Sequence, residues 1–206
     1  MKTTADFVFF WGNKDPFSNW HPSPFRYKGN SFSHVEQFMM FGKAQLFGDR
    51  SVAEEILNTQ DPRKCKALGR EVRGFVEKTW DQECEKIVGI GCREKFLQNP
   101  DLLRELLATG DRMIVEASPY DRIWGIGLKA DHPDAIYPER WRGDNRLGKV
   151  ISEVRSFLIN NYIHQSLPER AHEAMKQALS EISLDSASSV LALDNEEIHE
   201  PGPSPG

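Results

Sequence analysis

The sequence predicts an α+β domain that is mainly α-helical, with a few short strands and a C-terminal helical extension. Three observations predict it. Helix start and stop signals recur from Ser33 to Gly110 and again from Arg146 onward. Only FVFFW at 7–11 and RMIVEAS at 112–118 have the apolar runs expected of buried strands. The five Trp and twelve Phe concentrate before residue 158, which places the packed unit in the first three quarters of the chain.

Taken in order, the aromatic run at 7–11 is the first strand. GNKDPFSNWHPSP is dense in turn formers and reads as loop. FRYKGNSF turns at Lys28–Gly29–Asn30 and reads as a small hairpin. Ser33 stands three residues before Glu36, the spacing of a capping box, so a helix is expected from there to Phe47. A second helix covers 52–59. Asp61 caps a third, with Pro62 at its first position. Thr79 and Gln82 predict the cap of a long helix over 80–97. Asn99–Pro100 opens another, closed by Gly110. Residues 119–145 form a long loop, which inside a compact domain points to function. Apolar spacing at Leu147, Val150, Ile151, Val154 and Leu158 predicts a helix over 146–163. The domain is thus expected over 5–163, followed by a helix at 168–183 and a disordered acidic tail at 184–206.

The composition narrows the function classes. The chain is 206 residues long and 39% apolar, enough for one domain with an appendage. Its net charge is −5, and the acids after Leu184 account for all of it. A neutral body holds nucleic acid locally rather than through a general field. Three cysteines without a CxxC pair point to reduced thiols. No apolar run is long enough to cross a membrane, and no signal-peptide layout opens the chain. A soluble monomer in the cytoplasm or nucleus is expected, with no membrane partner. The scattered histidines predict no metal site.

Four segments carry candidate chemistry. In SFSHVEQFMMFGKAQ, residues 31–45, Glu36, Met40 and Lys43 share a helix face. Glu36 and Lys43 are ~10.5 Å apart along the axis, too far to pair on a straight helix, though they can line two sides of one pocket. The other reading gives Glu36 to the capping box and Lys43 to solvent. PYDRIWGIG at 119–127 sets Asp121 three residues before Trp124, and Gly125 permits close backbone approach to a flat ligand. An ordinary turn around a buried Trp is the other reading. RWRGDNRLGK at 140–149 gathers Arg140, Arg142, Arg146 and Lys149 at a helix start, where phosphate is favoured or a solvated face forms. Asn145 is the expected N-cap there. FSNWHPSPF at 17–25 puts Asn19 between aromatic residues. Trp11, Phe17 and Trp20 are assigned to the core, and the cysteines to packing.

Together these segments resemble the NADAR family, also called YbiA-like, over about residues 7–160. The resemblance rests on FSNW at 17–20, Glu36–Gln37 with Lys43, Trp80 after Lys78–Thr79, LLATGD at 106–111, IVEASPYDRIWGIGL at 114–128 and DNRLG at 144–148. It implies a compact, mainly helical α+β domain that cleaves an N-glycosidic bond, with no metal and no cofactor. It implies one of two substrates. The first is ADP-ribose linked to guanine in nucleic acid, preferably single-stranded DNA. The second is a small phosphorylated riboside of riboflavin synthesis. A module that binds ADP-ribose or NAD without turnover is the third reading.

For such chemistry Glu36 is the expected catalytic carboxylate. Lys43 acts either by imine formation with the opened ribose or by its charge. Asp121 and Asp111 are candidates for ribose hydroxyls or a second acid/base. Asn145 and Arg146 are expected to hold phosphate. Trp124, Gly125 and Trp80 are expected to face the base, and Asn19 to make a polar contact.

Overall fold

The computed structural model describes residues 1–196. The aromatic run becomes β2 (Phe7–Phe10), the middle strand of a three-stranded sheet. On one side β1 (Lys2–Thr3) pairs antiparallel with it. On the other, β5 (Met113–Glu116) pairs parallel, with Phe7 opposite Met113 and Phe10 opposite Glu116. β3 (Phe25–Tyr27) and β4 (Asn30–Phe32) form the expected hairpin. Its turn is possible because Lys28 and Gly29 both take positive φ.

The helices are α1 (Val35–Leu46), α2 (Arg50–Leu57), α3 (Pro62–Arg70), α4 (Glu77–Gln98), α5 (Pro100–Ala108), α6 (Arg146–Ile163) and α7 (Glu169–Glu196). α1 is the hub and packs on α2, α3 and α4, while α6 packs on β5 and α4. Val35, Phe38, Met39 and Met40 of α1 enter a core shared with Phe10, Phe17, Phe96, Ile114 and Ile151. Each such side chain contributes about 1.5–3 kcal/mol by burial. A smaller core lies under the long loop, where Phe9 and Val115 meet Ile126, Leu128 and Ala135. The loop is closed by Trp141, whose indole N–H donates to the Ala135 carbonyl at 2.9 Å.

Three local expectations are corrected. The cap of α1 is His34, not Ser33. His34 Nδ1 accepts from the Gln37 amide, and Gln37 Oε1 accepts from the Ser33 amide at 2.7 Å. Gln37 therefore does the work assigned to Glu36, because Gln37 Nε2 also ties α1 to the Ile56 and Thr59 carbonyls. α4 begins at Glu77 after an N-cap, Val76, that makes no side-chain bond, so Thr79 and Gln82 lie inside the helix. α7 runs on to Glu196 through the first part of the expected tail, and residues 197–206 lie outside the described residues. Among the described residues no helix is long and apolar enough to cross a membrane.

Candidate active site

Parallel strands gather side chains at their carboxyl ends, and ligands in α/β sheets bind outside those ends. Here β2 ends into Trp11 and β5 ends at Glu116. A cavity of about 740 Å³ opens at this edge. That volume suits a nucleotide-sized ligand. Its walls come from the 11–20 loop, the buried face of α1, the start of α3 and the 118–124 turn.

Glu36 projects from the first turn of α1 and is 5% exposed. Relieved of capping by Gln37, its carboxyl lines the cavity with Met39 and Met40. Its amide donates to the Asn19 carbonyl at 2.9 Å, which fixes α1 to the FSNW loop. That loop is held from beneath by Lys95. This lysine is fully buried and donates to the Ser18 carbonyl at 3.0 Å. Burial raises the Glu36 pKa, while the Lys66 charge and hydrogen bonding from the Trp20 side chain pull it down.

The second carboxyl is Glu116. Its amide donates to Asn145 Oδ1 at 3.0 Å, and its carbonyl accepts from the Ile126 amide at 2.9 Å. Its Oε2 is buried without a hydrogen-bond partner. Burial first, then the charges of Asp121 and Glu36, push its pKa up to about 8, against a smaller pull from Lys66.

Asp121 forms the turn above it. Its Oδ1 accepts from the Ile123 and Trp124 amides at 2.9 and 2.8 Å, and its own amide donates to Ser118 Oγ. Arg63 and Lys66, three residues apart on α3, supply the cationic wall. Trp11, Trp20, Tyr120 and Trp124 supply the rings. The Trp11 and Tyr120 centroids are 6.0 Å apart, and these residues are 47% and 84% exposed. Both belong to the mouth.

The structure thus brings together Glu36, Asn19, Asp121 and Trp124. It does not bring the other expected residues to the cavity. Lys43 follows Met40 on the helix face, outside the lining. Its ammonium donates to the Gly69 carbonyl at 2.7 Å and lies 4.2 Å from the Phe75 ring centroid and 5.6 Å from that of Trp80. Burial lowers its pKa. Trp80 packs there against the core and does not line the cavity. Gly125 sits behind the site, where a Cβ would stand 2.8 Å from the Glu116 carbonyl. Asn145 takes a left-handed φ of 53° and makes no cap bond. Its amide group instead clamps β5 through Glu116 N and the Ile114 carbonyl. Arg146 is paired with Glu85 and Asp81 and stands 6.0 Å from the Trp124 ring centroid, and Arg140 is paired with Asp134; neither arginine lines the cavity. Asp111 lies at the opposite end of β5, exposed beside Gly110.

Sequence reasoning missed Glu116, Arg63, Lys66 and Tyr120, and it assigned Trp11 and Trp20 to the core. An acid closing the buried run MIVE was the available signal for Glu116. Phe17 is fully buried as expected. Burial pushes Cys65 and Cys92 up to about 12, consistent with packing roles. Among the described residues no group of three His, Cys, Asp or Glu is placed to hold a metal ion.

A family model, the NADAR domain, matches residues 9–159. An N-glycosidase of Acanthamoeba polyphaga mimivirus is 45% identical over 163 residues, covering 74% of this chain and 96% of the relative. A riboflavin biosynthesis protein of Vibrio vulnificus is 30% identical over 141 residues, 68% of this chain and 35% of that longer protein. The NMR structure of the E. coli protein YbiA superposes with a TM-score of 0.63 at 26% identity, covering 79% of this chain and 90% of YbiA.

Proposed function

The chain belongs to the NADAR domain family, and from that premise we propose that it is an N-glycosidase, a hydrolase of N-glycosyl bonds, whose substrate is ADP-ribose attached to guanine in nucleic acid. The observation that carries the reading is a buried carboxyl, Glu36, set in one nucleotide-sized cavity with two cations and four aromatic rings.

Cleavage of a C1′–N bond builds positive charge on the ribose. The Glu36 carboxylate stabilises that charge and takes a proton from the attacking water. Lys66 and Trp20 favour its ionised form against the cost of burial. Arg63 and Lys66 are the cations that meet phosphate, in place of Asn145 and Arg146, which are committed to the scaffold. Trp124 and Trp20 offer faces to a base. The exposed Trp11–Tyr120 pair at the mouth extends that stacking surface outward, which favours a strand of nucleic acid over an isolated nucleotide. The second reading is a small phosphorylated ribosylamine, supported by the name of the Vibrio relative.

The test supplies both substrates: single-stranded DNA carrying ADP-ribosylated guanine, and a phosphorylated ribosylaminopyrimidine. Released ADP-ribose with intact DNA bases is the expected result. Cleavage of the small substrate alone moves the assignment to the second reading. Binding of ADP-ribose with turnover of neither makes the domain a reader.

A further inference from the structure

We propose that Glu116 is the general acid of this site, delivering a proton to the nitrogen that leaves C1′. The inference rests on the N-glycosidase reading and assigns the half of the reaction that Glu36 does not perform. As C1′–N breaks, its electron pair goes to the base nitrogen, which takes the proton from Glu116. Water forms the new C1′–O bond and gives its proton to Glu36. One water is consumed, and the two carboxyls exchange their protonation states, to be reset through solvent.

Geometry supports this division. Glu116 lines the same cavity as Glu36 but comes from a different element, the end of β5 rather than α1. Its backbone is clamped on both sides, by Asn145 at the amide and Ile126 at the carbonyl. Gly125 fits against its carbonyl with no room for a side chain. Such clamping holds a reacting group in register. Its Oε2 is buried and no protein group bonds to it, an arrangement costly for a carboxylate and suited to a carboxyl awaiting a substrate acceptor.

The charged groups facing it sort the pair. Glu36 on α1 and Asp121 on the turn disfavour a negative Glu116, and Lys66 on α3 offsets them least; its strand neighbour Phe10 carries no charge. For Glu36, by contrast, Lys66 is the leading influence after burial, and Trp20 adds to it. Burial pushes both carboxyls up; Lys66 leads the influences that oppose it at Glu36 and comes last at Glu116, and that asymmetry assigns the base and acid roles. At neutral pH Glu116, with a pKa of about 8, keeps its proton.

The test is the pH profile of kcat/KM for wild type, Glu116→Gln and Glu36→Gln. Wild type is expected to be bell-shaped, falling above about pH 8. Glu116→Gln is expected to lose about 100-fold or more at pH 7 and to lose the alkaline limb while keeping the acid one. Activity within threefold of wild type, or an alkaline limb that persists, overturns the assignment. Wild-type turnover in the same series tests the parent reading separately, since its absence sinks the glycosidase and not the titration. A second measurement needs neither turnover nor a variant: the carboxyl carbon of Glu116, followed by NMR in the wild-type protein. A midpoint near 8 sustains the proposal, and one near 4.5 overturns it.

Discussion

Glu36 concentrates what one residue can decide. Its carboxyl is buried at a helix start yet is not the cap, so Glu36→Gln keeps every bond that orders α1. The variant is expected to melt at or above the wild-type temperature and to lose about 10²–10⁴ in kcat. A drop in melting temperature with unchanged turnover would return Glu36 to a structural role. Lys43 divides two mechanisms. Held at the Gly69 carbonyl outside the cavity lining, it ties α1 to the end of α3. Direct attack by water then predicts no adduct when borohydride is added during turnover. A reduced adduct on Lys43, seen by mass spectrometry, would make this lysine the nucleophile and require it to leave Gly69. At the mouth, Tyr120→Ala is expected to weaken binding to single-stranded DNA by about 1–3 kcal/mol and to spare free ADP-ribose. Equal losses for both ligands would remove the stacking surface from the account. The sequence showed Glu36, Asp121 and Trp124 because polar residues interrupt apolar or glycine-rich runs there. Tyr120 and Lys66 gave no such signal, since their roles depend on a turn and a helix meeting across the cavity.

Among the elements, β5 and α6 show how far local pattern reaches. The strand and the helix were legible from their apolar spacing, and α3 from Asp61 and Pro62. The link between β5 and α6 was not. Asn145 precedes a helix, as a cap does, but its left-handed backbone turns the amide group onto β5. Asn145→Ala leaves the Glu116 amide and Ile114 carbonyl short of a partner, at a cost of about 1–3 kcal/mol each. A destabilisation below 1 kcal/mol in chemical denaturation would contradict that clamp. The same logic explains α1. Its apolar face was readable, whereas His34 as cap required the Gln60 carbonyl, 26 residues away, to fix the ring.

At the scale of the whole molecule, the parallel pairing of β2 with β5 sets the site, and a pairing across more than a hundred residues is not written in any local motif. The buried charges that it collects make stability depend on pH in a defined direction. Glu116 holds its proton more tightly folded than unfolded, so stability is lost as pH rises from about 4.5 to about 8. Lys95 is the reverse case: its pKa falls from 10.5 to about 8 on burial, so stability is regained between those values. The melting temperature is therefore expected to stop falling near pH 8, with a recovery that ends near pH 9, where the buried Cys65 and Cys92 thiols begin to act in the opposite direction. Glu116→Gln should shrink the fall, to which the raised Glu36 also contributes, and Lys95→Met should abolish the recovery; a profile unchanged by either variant would reject these assignments. The central claim is that the cavity at the ends of β2 and β5 cleaves N-glycosyl bonds through Glu36. Its most direct test is product release from guanine-ADP-ribosylated single-stranded DNA, followed by chromatography for wild type and Glu36→Gln, with ADP-ribose binding measured on both. The account predicts ADP-ribose from wild type, none from the variant, and binding by each. Release at equal rates by the two proteins would contradict it.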